Sequence, residues 1–415
     1  MRKRLPPVMQ QRDYALVWLA RLFVAFASQM TAVAVGWQVY AIRENPFDLG
    51  LIGLAEFVPL LLLALPVGHV TDRFPRRRVL AVSLVLEIVV AFLLLVVTLA
   101  GAQQLWPFFA LAAAIGVAQA LGAPADRAIP PEIVSAELLP SAMAYRSMAG
   151  QAAVVAGPAV GGLLFALRPE LVYALAAALL IAGLACVLGL RSPRVAAAAA
   201  GERMPGPTGL LAGIGFIRRT PVLFGAISLD LFAVLFGGAV ALLPVFARSI
   251  LHTGPAGLGL LRSAPAVGAL LAGVMIARRP LGRNAGRTLL LVVALFGASM
   301  VVFGLSRWFL LSLVALAVSG FADMISMIIR STTAALATPD PLRGRVNSVE
   351  NVFISASNEL GAFESGLAAA LLGPVTAVVA GGVITIAIAA AWPRLFPALA
   401  RVDRLEDVRP DWEPA

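Results

Sequence analysis

Charge is scarce in this chain. Asp, Glu, Lys and Arg together make up 13% of its 415 residues, against roughly 25% in a soluble domain. Cysteine is nearly absent too: Cys186 stands alone in an apolar run, which excludes an intrachain disulfide and a thiolate metal cluster. Lys3 is the sole lysine. A phosphate-binding loop needs Gly-Lys-Ser/Thr to hold the nucleotide phosphates, so that site is excluded. His69 and His252 are far apart in the sequence, and no pair of histidines has the spacing of a metalloprotease helix. Neither a metal nor a cofactor is expected. An enzyme is not expected either: a membrane-embedded lipid enzyme would need a nucleophile–base motif, and none is found.

What the chain has in quantity is apolar side chains. They form 60% of the sequence, and the mean hydropathy is +0.92. Apolar runs of 18 or more residues recur along the whole length, each long enough to cross a hydrocarbon core of about 30 Å. Lipid offers the backbone no partner, so the runs must be helices. The first is too long for a signal peptide and no small-residue cleavage site follows it. The net charge of +10 does not point to nucleic acid, because the basic residues are spread among short loops.

About twelve spans can be placed: 14–41, 49–70, 79–100, 106–125, 142–167, 171–190, 219–249, 255–277, 288–306, 308–330, 346–372 and 374–396. With both termini in the cytoplasm, most Lys and Arg residues fall on the inside. Only Arg43, Arg168, Arg248 and Arg307 are left outside, with Arg21 and Arg262 within spans. The positive-inside rule favours that orientation. The expected divisions are 1–190 for a first bundle, 191–218 for a cytoplasmic linker, 219–400 for a second bundle and 401–415 for a cytoplasmic tail. Gly, Pro and the alanine tract Ala196 to Ala200 mark the linker.

The chain also repeats itself. Gly53-Leu54-Ala55-Glu56-Phe57-Val58-Pro59 aligns with Gly259-Leu260-Leu261-Arg262-Ser263-Ala264-Pro265. Gly68 and the basic turn to Arg78 align with Gly273 and the turn to Arg283. Gly157-Pro158-Ala159-Val160-Gly161-Gly162 aligns with Gly361-Ala362-Phe363-Glu364-Ser365-Gly366. The offset stays between 204 and 206 residues. Both basic turns fall on the inside, so the copies point the same way and each needs an even number of spans. Two copies of six, with a substrate site between them, is the plan of a secondary transporter.

Gly68-His69-Val70-Thr71-Asp72-Arg73-Phe74-Pro75-Arg76-Arg77-Arg78 resembles the signature loop of the major facilitator superfamily, with Pro75 where the superfamily pattern has glycine. Asp72, Arg73 and Arg77 match. The second copy keeps Arg278 and Arg283 but has Ala277 in place of the aspartate. Gly157-Pro158-Ala159-Val160-Gly161-Gly162 is similar to the fifth-span motif of the superfamily's drug/proton antiporters, with Ala153 for its leading glycine. Arg127 to Ala144 and Leu342 to Ser348 resemble the branch that holds the enterobactin exporter and macrolide-efflux proteins. The resemblance implies an all-α fold of twelve transmembrane helices in two pseudo-symmetric six-helix bundles. It implies a gating role for Gly68, Asp72, Arg73 and Arg77, and an antiporter-like helix around Gly157, Pro158, Gly161 and Gly162. It also implies that spans one, four, seven and ten line the central cavity.

An ionisable group within a span costs about 2.5–3.5 kcal/mol on insertion scales, so each is a functional candidate. Asp323 lies on one helical face with Ser319, Ser326 and Arg330; it binds a proton or substrate, or it pairs with Arg330. Asp230 has no opposite charge within two turns along its own span; it titrates, or it bonds to another helix. Glu56 and Arg262 hold equivalent places in the two copies with opposite charge, and are expected to form an outer gate or a charged rim. Asn351, Ser355 and Asn358 make a stripe in span eleven, with Glu359 beside it, whereas Glu364 lies on another face. Arg21 is expected to snorkel to the interface or to serve the site. Glu87 is assigned no role.

The reading is a bacterial inner-membrane transporter, multi-pass, with cytoplasmic termini. It exports an amphipathic small molecule, a siderophore or drug as the resemblance implies, by alternating access driven by protons. Its partners are that substrate, protons and the lipid bilayer; nucleic acid is not among them and a monomer is expected. An uncoupled facilitator, an importer and a non-transporting sensor remain the alternatives.

Overall fold

A computed structural model describes residues 6–191, 207–279 and 283–407. Most of the expected linker, the centre of the second basic turn and the end of the tail lie outside the described residues. The long apolar runs become helices. The first half supplies α1 (Arg12–Arg43), α2 (Pro46–Arg73), α3 (Arg76–Leu99), α4 (Trp106–Ile133), α5 (Leu139–Leu167) and α6 (Pro169–Leu188). Then come α7 (Pro207–Arg219), α8 (Pro221–Gly237), α9 (Gly254–Arg278), α10 (Ala285–Leu305), α11 (Phe309–Ala337), α12 (Asp340–Leu372) and α13 (Pro374–Leu395). No strand occurs among the described residues.

Eleven stretches among the described residues are long and apolar enough to cross a membrane. The twelfth is α12, long enough at 33 residues, but carrying Asp340, Arg343, Arg345, Glu350, Glu359 and Glu364. The chain is an all-helical, multi-pass membrane protein, as its composition requires.

The helix ends follow local chemistry. Pro169, Pro221 and Pro374 open α6, α8 and α13, where a missing N–H costs nothing and φ is already helical. Gly373, at φ 87°, separates α12 from α13. Span seven is less regular than its composition suggests. After Gly237 and Gly238 the chain passes through a 3₁₀ turn and a π-helical turn, Phe246–Ile250, with Pro244 between them. Residues 207–218, read from composition as the end of the linker, belong to α7 instead. It packs on α12, where a Cβ at Gly213 would lie 2.9 Å from the Arg345 carbonyl oxygen.

Close packing divides the chain into two units. One comprises residues 1–44, 51–201 and 253–263; the other comprises 45–50, 202–252 and 264–415. In the first, α1 packs on α5 and α6, and α3 packs on α4 and α6. In the second, α8 packs on α12 and α13, and α10 packs on α11 and α13. These are the same four pairings in repeat-equivalent positions, so the repeat in the sequence is a repeat in the packing. The first core is built largely from Val17, Ala20, Leu84, Ala125, Ala176 and Leu180, and the second from Leu229, Leu289, Val293, Ala322, Ile329 and Trp392.

Outside the spans, the chain after α13 turns back on α10. The first N–H groups of a helix have no partner within it, and here Ala285 and Gly286 donate to the carbonyls of Asp403 and Val402. The Asn284 N–H donates to the Asp403 carboxylate at 2.9 Å. That bond, with the Arg283 guanidinium beside it, holds the Asp403 carboxyl below its usual range.

Small residues set the spacing within the bundles, since apolar lipid gives no hydrophobic drive for helices to associate and packing must supply it. A Cβ at Gly320 of α11 would stand 1.9 Å from the Pro265 carbonyl oxygen of α9. Backbone cannot yield there. Gly320→Leu should therefore cost about 1–3 kcal/mol, seen as a lowered melting temperature in detergent by fluorescence-detected size exclusion. An unchanged melting temperature would show that α9 and α11 do not meet there.

Candidate functional site

The second unit buries an ion pair. Asp230 lies mid-way along α8, and Arg330 lies in the later part of α11. Their side chains meet at 2.6 Å and are 9% and 6% exposed. Arg330 Nε also donates to Ser326 Oγ at 3.3 Å. The pair sits beside a small cavity lined by Asp230, Ala233, Val234, Phe296, Asp323 and Ser326, among others. Asp323 lies two turns before Arg330 on the same face of α11, and its side chain remains exposed. Asp323 and Glu350 both lie within electrostatic range of Arg330. One carboxylate thus pairs with the guanidinium, and two more lie within electrostatic range of it.

The first unit holds a related cluster. Arg21 of α1 and Arg146 of α5 donate to the same oxygen of Asp126 on α4, at 3.3 and 2.5 Å. Arg21 is thereby drawn to a neighbouring helix. Glu87 of α3 lies within electrostatic range of Arg21 and Asp126. Glu56 of α2 accepts a hydrogen bond from Gln119 of α4 at 2.7 Å, and it lies within electrostatic range of Arg262. The same unit therefore brings Glu56 and Arg262 into one neighbourhood.

The two clusters occupy matching places. Arg21-Leu22-Phe23 aligns with Asp230-Leu231-Phe232 at an offset of 209 residues, a few more than elsewhere in the repeat, and Asp126 and Arg330 are 204 residues apart, the offset of the Gly157 match. Each half joins its first helix to its fourth by one ion pair, and the polarity is reversed between halves.

The remaining candidates are placed as follows. Asn358 is exposed and Glu359 and Glu364 are half-buried on α12, whereas the side chains of Asn351 and Ser355 are outside the described residues. Gly68 and Asp72 lie in α2, with their side chains likewise not described; Arg73 is exposed. Arg77 donates to the Leu188 carbonyl at the end of α6. Its neighbour Arg76 pairs with Glu132 of α4 at 2.5 Å. The basic turn is thus tied to the ends of α4 and α6 within its own unit. On α5, Gly157 and Gly161 lie against Gln29 and Met30 of α1. Gly162 seats the first turns of α9, where its Cβ would be 2.4 Å from the Pro255 carbonyl oxygen. Pro158 contributes its carbonyl oxygen to that seat, 2.3 Å from where a Cβ on Gly259 would be. In the other unit, Gly366 of α12 seats the first turn of α2 in the same way, its Cβ 3.0 Å from the Pro46 carbonyl oxygen.

Four members of these clusters escape a reading by composition: Asp126, Arg146, Glu350 and the role of Arg330 as partner of Asp230. Asp126 falls one residue beyond the span placed at 106–125, because α4 runs on to Ile133. The repeat offset from Asp126 to Arg330 was the available signal.

Removing one member of a buried pair leaves the other charge uncompensated, at about 3–5 kcal/mol. With Asp323 and Glu350 still in range, Asp230→Asn should cost near the lower end of that range. Adding Arg330→Gln should restore most of the loss. A double-mutant cycle of detergent melting temperatures checks this, and additive losses would show that the pair is not coupled.

The sequence from residue 4 to 411 matches the family model described as transmembrane secretion effector. The enterobactin exporter EntS of Shigella dysenteriae serotype 1 (strain Sd197) is 26% identical over 376 residues, spanning 89% of this chain and 88% of that one. The protein of the same name from Escherichia coli O139:H28 (strain E24377A / ETEC) gives the same identity and coverage. Among solved structures, a bacterial homologue of the human lysosomal transporter Spinster, inward-facing and unoccupied, is similar with a TM-score of 0.74 at 14% identity, covering 99% of this chain and all of that one. A bacterial homologue of the iron transporter ferroportin, inward-facing, gives 0.67 at 16% identity, covering 94% and 99%. These two likenesses concern the fold. The family match covers nearly the whole chain: this protein belongs to the transmembrane secretion effector family of the major facilitator superfamily, and is a transporter rather than an enzyme.

Proposed function

We propose that this transporter exports an amphipathic small molecule across the bacterial inner membrane, by alternating access and in exchange for protons. The observation that carries the reading is the buried Asp230–Arg330 pair beside a cavity that also presents Asp323. A proton arriving on Asp230 removes half of the pair. Arg330 then has Asp323 and Glu350 in range, so the loss is shared rather than left on one bare charge. Such a cluster offers Arg330 more than one carboxylate partner. A substrate that binds one arrangement better than the other shifts the balance, and only that difference in affinity can do so. Siderophore or drug export is supported by the likeness to the enterobactin exporters and by the antiporter-like helix around Gly157 and Pro158.

Proton movement in everted vesicles, followed with a pH-sensitive dye, tests the coupling. Catecholate siderophores and lipophilic drugs would be added in turn to vesicles shown to contain folded protein. The expected outcome is substrate-triggered proton release in wild type, lost in Asp323→Asn and in Asp230→Asn. Transport that ignores the pH gradient would favour an uncoupled facilitator, and accumulation in the opposite sense an importer.

The orientation proposed from the basic loops places both termini in the cytoplasm. Lys3 offers a direct check, as the sole lysine. A membrane-impermeant amine reagent should label it in everted vesicles and not in intact spheroplasts. The α-amino group reports from the same terminus. Labelling in spheroplasts would reverse the topology.

A further inference from the structure

The two clusters are built differently. Arg330 is surrounded: it meets Asp230 and Ser326, with two further carboxylates in range. In the first unit, two guanidinium groups share a single oxygen, Asp126 Oδ2. A guanidinium has five N–H donors. Among the described residues, Arg21 and Arg146 each make only that one hydrogen bond, and the Nε atoms of both are buried with no partner. Gly150, one turn along α5 from Arg146, puts no side chain beside Arg21; an added Cβ there would be 3.9 Å from Arg21 Nη2. Glu87 is the other acid in range of Arg21, and it forms no ion pair among the described residues. Buried donors left without acceptors are unfavourable. The planar fork of arginine fits carboxylate, sulfonate and phosphate oxygens in pairs.

We infer that Arg21 and Arg146 recognise an acidic group on the transported molecule, with Asp126 as the internal carboxylate that the group displaces. This rests on the transport reading above and adds to it a substrate class, the amphipathic anion. In the unloaded state Asp126 holds the two arginines together and keeps them from repelling each other. An incoming acid takes the spare N–H donors and draws the guanidinium groups away from Asp126 Oδ2. Arg21 and Arg146 then determine specificity, separating anions from uncharged molecules of the same shape.

The test uses the purified full chain in maltoside detergent at pH 7 and isothermal titration with two probes, 4-(1-pyrenyl)butyrate and its uncharged methyl ester. Wild type should prefer the acid. Arg146→Gln should weaken the acid about tenfold or more, the order of one charge-assisted pair, and leave the ester unchanged. Arg146→Lys should keep part of the preference. Asp126→Asn should strengthen acid binding several-fold, because the competitor's charge is gone. The inference is overturned if wild type binds acid and ester equally or binds neither, or if Asp126→Asn weakens the acid. It is overturned also if both Arg146 variants weaken the two probes alike, since the cluster would then be structural. Binding needs no gradient, so proton coupling can fail in vesicles while the anion preference stands, and the reverse.

Discussion

Asp230 and Arg330 could not both be charged in the middle of an apolar bundle unless each had the other. Hydrocarbon supplies no counter-ion and no water, so a charge there must find its partner on a neighbouring helix. That requirement fixes α8 against α11 in the second unit, and Arg21 with Asp126 fixes α1 against α4 in the first. The apolar faces of these helices would pack in several rotations about their axes with little difference in energy. The ion pairs select one. The small-residue contacts, such as Gly320 against Pro265, then set how near the helices come.

The same constraint explains how a packed protein can still move. Interlocked glycine contacts are rigid, because backbone meets backbone. Clusters in which a charged group has more than one candidate partner are not, because a proton or an anionic group changes which partner is satisfied. In the second unit the surplus is acidic around Arg330; in the first, two arginines share Asp126. The proton-coupled export and the anion recognition proposed above use both kinds.

Much of this was legible in the sequence, for identifiable reasons. Lipid permits only helices, so runs of apolar residues translate directly into spans, and the offset between Gly157 and Gly361 reported the repeat before any packing was known. Asp230 was legible as an anomaly but not as a pair, since helical periodicity shows partners within two turns and Arg330 is 100 residues away. Asp323 drew attention to Arg330 through their shared helix face, whereas the residue that pairs with Arg330 stands on α8. The break after Gly237 was hidden by uniformly apolar composition. Residues 207–218 looked like linker because Pro207 and the glycines outweighed the spacing of Leu210, Ile214 and Ile217; packing against α12 decided in favour of a helix. Arg146 was masked by its place near the start of α5, where an arginine reads as an interfacial residue.

The reversed polarity of the two ion pairs bears on how the halves diverged. If they arose by copying one unit, both began with the same residues at the first-helix and fourth-helix positions. Changing either residue of a pair to the other's sign would have put two like charges side by side in the bundle, a costly state without a third charge to offset them. One path between the two arrangements runs through an uncharged pair, with the polarity settled separately in each half. The opposite signs of Glu56 and Arg262 follow the same pattern at a second matched position, so the halves of this protein are alike in packing and complementary in charge.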